Sequence, residues 1–155
     1  MVDIVSSARL VSSFKSDYQK FKGGTHAFVE IIGFSSVIDY PNNIGRQKIS
    51  DYEEGLLHYA AAKFLAMDRV RIIGSAPQKE PLISFALDSI SAKKAETWFN
   101  EHTGIVLRAG QLSAQPLMKS LALERVLRIS FGYFNTHHEV DQFIEALQEC
   151  IRAKG

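Results

Sequence analysis

Apolar positions recur along this chain in two periods. Between His26 and Tyr40, Phe28, Ile31, Ile32, Ser35 and Ile38 or Asp39 trace positions at helical spacing, which predicts a helix with its apolar groups mainly on one face. Pro41 disfavours α geometry at Tyr40, so that helix is expected to end there, with Asn42–Gly45 as a connector. A longer helix is expected from Arg46 to Met67, with Ile49, Tyr52, Leu56, Tyr59, Ala60 and Phe64 as its buried stripe. The period then shortens. Val70–Ile73 and Leu82–Leu87 alternate and are rich in β-formers, and the stretch from Gly74 to Pro81 between them is full of turn residues.

Ser91 is a suitable N-cap for a helix over Ala92–His102, stopped by Gly104. A strand is expected at Ile105–Leu107, a short helix at Gln115–Leu121 and another strand at Val126–Phe131. The clearest start signal is Thr136-His137-His138-Glu139, which has the form of a capping box. Val140, Phe143, Ile144, Leu147 and Ile151 then give the last helix its apolar stripe. Residues 1–24 are the least helical and read as an extended arm closed by Gly23-Gly24. Residues 25–155 read as a single small α+β domain, with one sheet of about four short strands covered by helices.

Composition adds little to this. The 155 residues favour one domain, and 46% hydrophobic with 23% charged residues is ordinary for a globular protein. A net charge of +1 offers no field for nucleic acid or an anionic membrane surface. One cysteine, Cys150, allows no internal disulfide. The N-terminus does not resemble a secretory signal, and no stretch approaches the roughly 18 to 20 apolar residues that span a bilayer. A cytoplasmic protein is expected, with neither nucleic-acid nor membrane partners.

Four ordered segments carry the chemistry. They are FKGGTHAFVEIIGFSSVIDY, ISDYEEGLLHYA, GIVLRAGQLSAQPLM and LRISFGYFNTHHEVDQFIEAL. In that order they resemble the F-x-x-G-T-x(5)-I-I-G segment, the Y-E-x-x-L-x-x-Y-A helix, the G-I-x-x-R-T-G-x-x-C-A-x-P-L-M loop and the R-x-S-x-x-x-Y-N-T ending of one family. That family is the Suf-type cysteine desulfurases and selenocysteine lyases, within the class-V aminotransferase group of pyridoxal-phosphate enzymes. The resemblance covers nearly the whole chain and implies the small C-terminal domain of such an enzyme, with a dimer-facing arm and without the large cofactor-binding domain. It places the chain near iron–sulfur cluster assembly.

The same resemblance assigns roles. Arg128 matches the arginine that grips the substrate carboxylate, and Arg108 the arginine that opens the reactive loop. Thr25 matches a threonine reaching the cofactor phosphate of the opposite subunit. Ser113 occupies the place of the nucleophilic cysteine. A serine hydroxyl is scarcely ionised near neutrality, so the sulfur transfer that a thiolate performs does not follow. The family's cofactor lysine, in an SGHK-like motif, has no counterpart here. Around the motifs, Ala109, Gln111, Leu112, Lys22 and His26 also depart from the family pattern.

Each candidate also has a plainer reading. Ser113 is an inherited loop residue, Arg128 a partner in a structural ion pair, Cys150 a semi-buried packing residue and Gly33 a point of close helix packing. His137 and His138 with Glu139 and Asp141 form a helix start rather than a metal site. The expectation is a desulfurase-like protein that is non-catalytic by itself, holds no cofactor on this chain alone and acts through protein contact. Its partners would be a second copy, a large-domain chain binding pyridoxal phosphate, or a sulfur acceptor. Two alternatives stand beside it. One is the small subunit of a split pyridoxal-phosphate desulfurase or lyase, and the other is a folded remnant without a selected role.

Overall fold

A computed structural model of the chain describes residues 4–8, 11–74 and 76–155. The arm expected over 1–24 and the turn-rich stretch 74–81 each fall partly outside these residues. The chain forms two compact units, 1–44 and 45–155.

In the first unit, β1 (Ile4–Ala8) pairs antiparallel with β2 (Val11–Phe14), with a register irregularity between Ile4 and Ser6. A 3-10 turn over Tyr18–Phe21 follows, started by Asp17, whose carboxylate accepts the Gln19 amide at 2.8 Å. Helix α1 runs from Phe28 to Ile44, straight through Pro41. This corrects the expected end at Tyr40 and the expected connector at 42–45. Proline removes a single N–H, the one that would reach the Val37 carbonyl, and the helix continues for one more turn. The stop is Gly45, whose φ of 100° is open to glycine and costly for other residues.

The expected one-sided apolar face of α1 is also corrected. At about 100° per residue, Phe28, Val29, Ile31, Ile32, Phe34, Val37, Ile38, Tyr40 and Ile44 are spread around the whole circumference. None of them is buried, and Val29 is 80% and Ile32 70% exposed. Gly33 has open space where a Cβ would stand, so close packing does not explain it.

The second unit begins with α2 (Arg46–Leu65) and contains β3 (Val70–Ile73), β4 (Leu82–Leu87), α3 (Ala92–His102), β5 (Arg108–Gly110), α4 (Gln115–Ser120), β6 (Val126–Ser130) and α5 (His137–Lys154). Its four strands form one antiparallel sheet in the order β3-β4-β6-β5. The fold is α+β, as the two periods imply.

Alternation along β4 buries Ile83, Phe85 and Leu87 on one face. Phe64 of α2 meets Phe85 edge-on at 5.0 Å, Phe143 of α5 meets it at 6.3 Å, and Phe99 of α3 lies 5.5 Å from Phe143. All three helices therefore cover the face that carries Phe85. Cys150 sits in this core fully buried, deeper than the semi-buried place expected for it. Tyr52 falls outside the α2 stripe. Its ring is exposed and its hydroxyl donates to the Asn135 carbonyl at 2.7 Å.

One strand lies three residues later than expected. The segment Ile105–Leu107 is not paired, and β5 starts at Arg108. The Thr103 hydroxyl donates to the Phe99 carbonyl and accepts the Ile105 amide at 3.1 Å. That bond ties the chain leaving α3 back to its own helix end and delays its meeting with β6.

Candidate functional site

The strand register brings two of the sequence-derived site residues together. Arg108 of β5 stands directly opposite Arg128 of β6, which in turn stands opposite Ser84 of β4. Directly opposed residues of an antiparallel pair project from the same face. Ile129 and Leu127, flanking Arg128, are buried in the core, so Arg128, Arg108 and Ser84 lie on the face away from the three helices. Like charges in direct opposition repel. Among the described residues neither guanidinium pairs with a carboxylate, so the structural ion pair considered for Arg128 is not found. Two guanidinium forks on one face, Arg108 exposed and Arg128 half-buried, suit a carboxylate.

Beyond β5 the backbone is strained. Gly110 has φ 139°, Leu112 φ 53° and Ser113 φ 59°. The Ala114 amide donates to the Gln111 carbonyl at 2.9 Å, closing a four-residue turn with both central residues left-handed. Asn-Gly is the usual occupant of such a turn. A leucine and a serine there cost on the order of 1–2 kcal/mol each. The turn leaves Ser113 exposed. Among the described residues no histidine or carboxylate bonds its hydroxyl.

Glu96 of α3 went unnoticed in the sequence. One carboxylate oxygen accepts the Ala109 amide at 3.1 Å and the other accepts Lys93 at 2.7 Å. Lys93 is the main reason its carboxyl titrates below the usual range, and burial works against that shift. The Lys93–Glu96 spacing was readable as a helical pair, but the reach to Ala109 depends on tertiary packing.

Thr25 belongs to the other unit. It borders a hollow of about 440 Å³ formed by residues 18 and 21–27, where the Lys22 ammonium lies over the Tyr18 ring at 5.4 Å. Another hollow, about 560 Å³, lies between Thr103–Val106, the end of β6 and the first half of α5. No lysine lines it. His137 packs edge-on against Tyr59 at 4.7 Å, and Thr136 and Glu139 exchange both capping-box hydrogen bonds. Among the described residues no three His, Cys, Asp or Glu side chains converge as metal ligands.

Two lysines of the 45–155 unit bear on a pyridoxal-phosphate site. That cofactor takes a lysine amine able to lose its proton and an acid at the ring nitrogen. Lys63 is held protonated above its ordinary range, first by Asp141 at 2.9 Å and then by Tyr59, and Lys93 is engaged by Glu96.

Comparison with known proteins agrees with this layout. The family model for aminotransferase class-V matches residues 1–143. A probable cysteine desulfurase 1 of Mycobacterium leprae is 32% identical over 137 residues, which is 88% of this chain and 22% of that protein. A probable cysteine desulfurase of Staphylococcus epidermidis is 33% identical over 150 residues, 96% of this chain and 36% of that protein. The chain thus spans between about a fifth and a third of the length of such relatives.

Among solved structures, a cysteine desulfurase of Escherichia coli shares the fold with a TM-score of 0.85. The match has 24% identity and covers 98% of this chain and 37% of that one. The apo cysteine desulfurase of Thermococcus onnurineus NA1 matches with a TM-score of 0.82 at 22% identity, over 97% of this chain and 38% of that one.

Proposed function

The chain belongs to the aminotransferase class-V family, and on that premise we propose that it acts through contact with protein and performs no chemistry of its own. The observation that carries this is α1. A helix that is apolar on every side is stable in water only when it is enclosed. A flat dimer face would cover one side of it, and a domain core covers all of them. Fully enclosing a large aliphatic or aromatic side chain contributes about 1.5–3 kcal/mol, and α1 offers nine. The occupant we assign is the large, lysine-bearing part of a class-V fold. The relatives, three to five times as long as the matched region, have room for such a domain.

Two features support the absence of chemistry in this chain alone. Ser113 has oxygen where desulfuration needs a thiolate. Lys63 and Lys93 of the 45–155 unit are held in ion pairs with Asp141 and Glu96.

A second reading is favoured by the opposed arginines. Once the large part is in place, the assembly would be a pyridoxal-phosphate enzyme, the cofactor stabilising negative charge at the substrate α-carbon. Arg128 and Arg108 would hold a substrate carboxylate, and Thr25 would donate to the cofactor phosphate of the opposite subunit. Ser113 would favour lyase or transaminase chemistry over desulfuration, which alone requires the thiol.

The test is direct. Pyridoxal phosphate added to the purified chain should develop no stable yellow absorbance, and cysteine should release no sulfide. A yellow adduct abolished by replacing a single lysine would overturn the first reading. Turnover that appears only with a lysine-bearing large-domain chain would establish the second.

A further inference from the structure

We propose that Glu96 is the positioning residue for Arg108 and for the strained turn behind it, an inference that rests on reading the Arg108–Arg128 pair as a carboxylate receptor. β5 is only three residues long and lies at the edge of the sheet, with β6 as its single strand neighbour. Amides along a strand point alternately to either side. The Ala109 amide points away from β6 and would be an orphan donor at this edge. Glu96 accepts it from α3 at 3.1 Å.

Two consequences follow from that bond. Arg108, next to Ala109, is kept in register with Arg128 so that the two forks share one face. The turn, with Leu112 and Ser113 both left-handed, pulls on a strand with very few pairing residues to resist it. Glu96 is the counter-anchor. Its side chain is only 19% exposed, and Lys93 holds the other carboxylate oxygen, so the acceptor is fixed from both ends. The negative charge also attracts the Arg108 guanidinium.

The experiment compares the chain with E96A, E96Q and R128A. Exchange of the Ala109 amide with solvent deuterium is measured by NMR, with the Phe85 amide in the central strand as the reference for global opening. Binding of acetate is followed through the arginine Nε–H signals.

E96A should speed Ala109 exchange at least tenfold while Phe85 exchange stays within about twofold, and should weaken acetate binding severalfold. E96Q keeps a carbonyl acceptor and should restore most of both. Unchanged Ala109 exchange in E96A would overturn the proposal, as would E96Q behaving like E96A. An acetate response in the parent chain that survives R128A, or none at all, would count against the arginine-pair reading, and the Ala109 exchange would still decide the place of Glu96.

Discussion

At the scale of single residues, the Ser113 turn and the Tyr59–Lys63–Asp141 group make the sharpest expectations. Ser113 is exposed and left-handed, so glycine at that position removes the steric cost and loses no packing. S113G should raise stability by about 1 kcal/mol in denaturant titrations, with an unchanged slope.

Asp141 accepts Lys63 at 2.9 Å and the Tyr59 hydroxyl at 2.9 Å, joining α2 to α5. Lys63 and then Tyr59 hold its carboxyl below the ordinary aspartate range. A depressed folded-state pKa gives stability that is present above the unfolded value and lost as pH falls through the folded one. D141N should therefore melt below the parent protein near neutrality, and the two curves should merge on acidification through that lowered titration. Solvent screens this pair, so the gap is small, and salt should narrow it further.

Little of this was legible in the sequence. Ser113 was visible as a missing thiol on a tight loop, but its backbone strain was not, because leucine and serine do not signal a left-handed turn as Asn-Gly does. The pairing of Arg108 with Arg128 needed the strand register, which sequence spacing alone does not supply.

At the scale of elements, legibility followed local chemistry. The capping box at Thr136–Glu139 was readable, since its two partners are three residues apart and the motif satisfies its own amides. The Thr136 amide donates to Glu139 at 2.7 Å, and the Glu139 amide to Thr136 at 3.2 Å. T136A should cost about 1 kcal/mol in chemical denaturation, and serine should recover most of it.

The β3, β4 and α3 boundaries were equally readable, because period and caps agree there. Two elements misled. Pro41 looked like a stop, yet the rule concerns a bias on the preceding residue and one lost hydrogen bond, and α1 absorbs both near its end. Ile105–Leu107 looked like a strand by composition, yet the Thr103 side chain captures the Ile105 amide first. In both cases a single bond decided an element's edge, where a pattern summed over a window could not resolve it.

At the scale of the whole molecule, α1 is the feature that a compact isolated domain would not keep. Ile32 and Val37 sit on well-separated sides of that helix. I32K combined with V37K should lower self-association in analytical ultracentrifugation and reduce binding of a hydrophobic dye. The melting of the 45–155 unit should stay within a degree or two, because none of its core residues is touched. A dye signal that survives the double change would place the adhesive surface elsewhere.

The burial of Cys150 has a practical consequence. It is the chain's sole sulfhydryl, sealed among Phe143, Leu147 and their neighbours and pushed up in pKa by loss of hydration. A thiol-reactive reagent therefore meets it only when that region opens, so the labelling rate is a built-in clock for opening. A cysteine engineered on the exposed turn at position 113 would react at once, giving a chromophore or tether a single address while the interior sulfur stays silent.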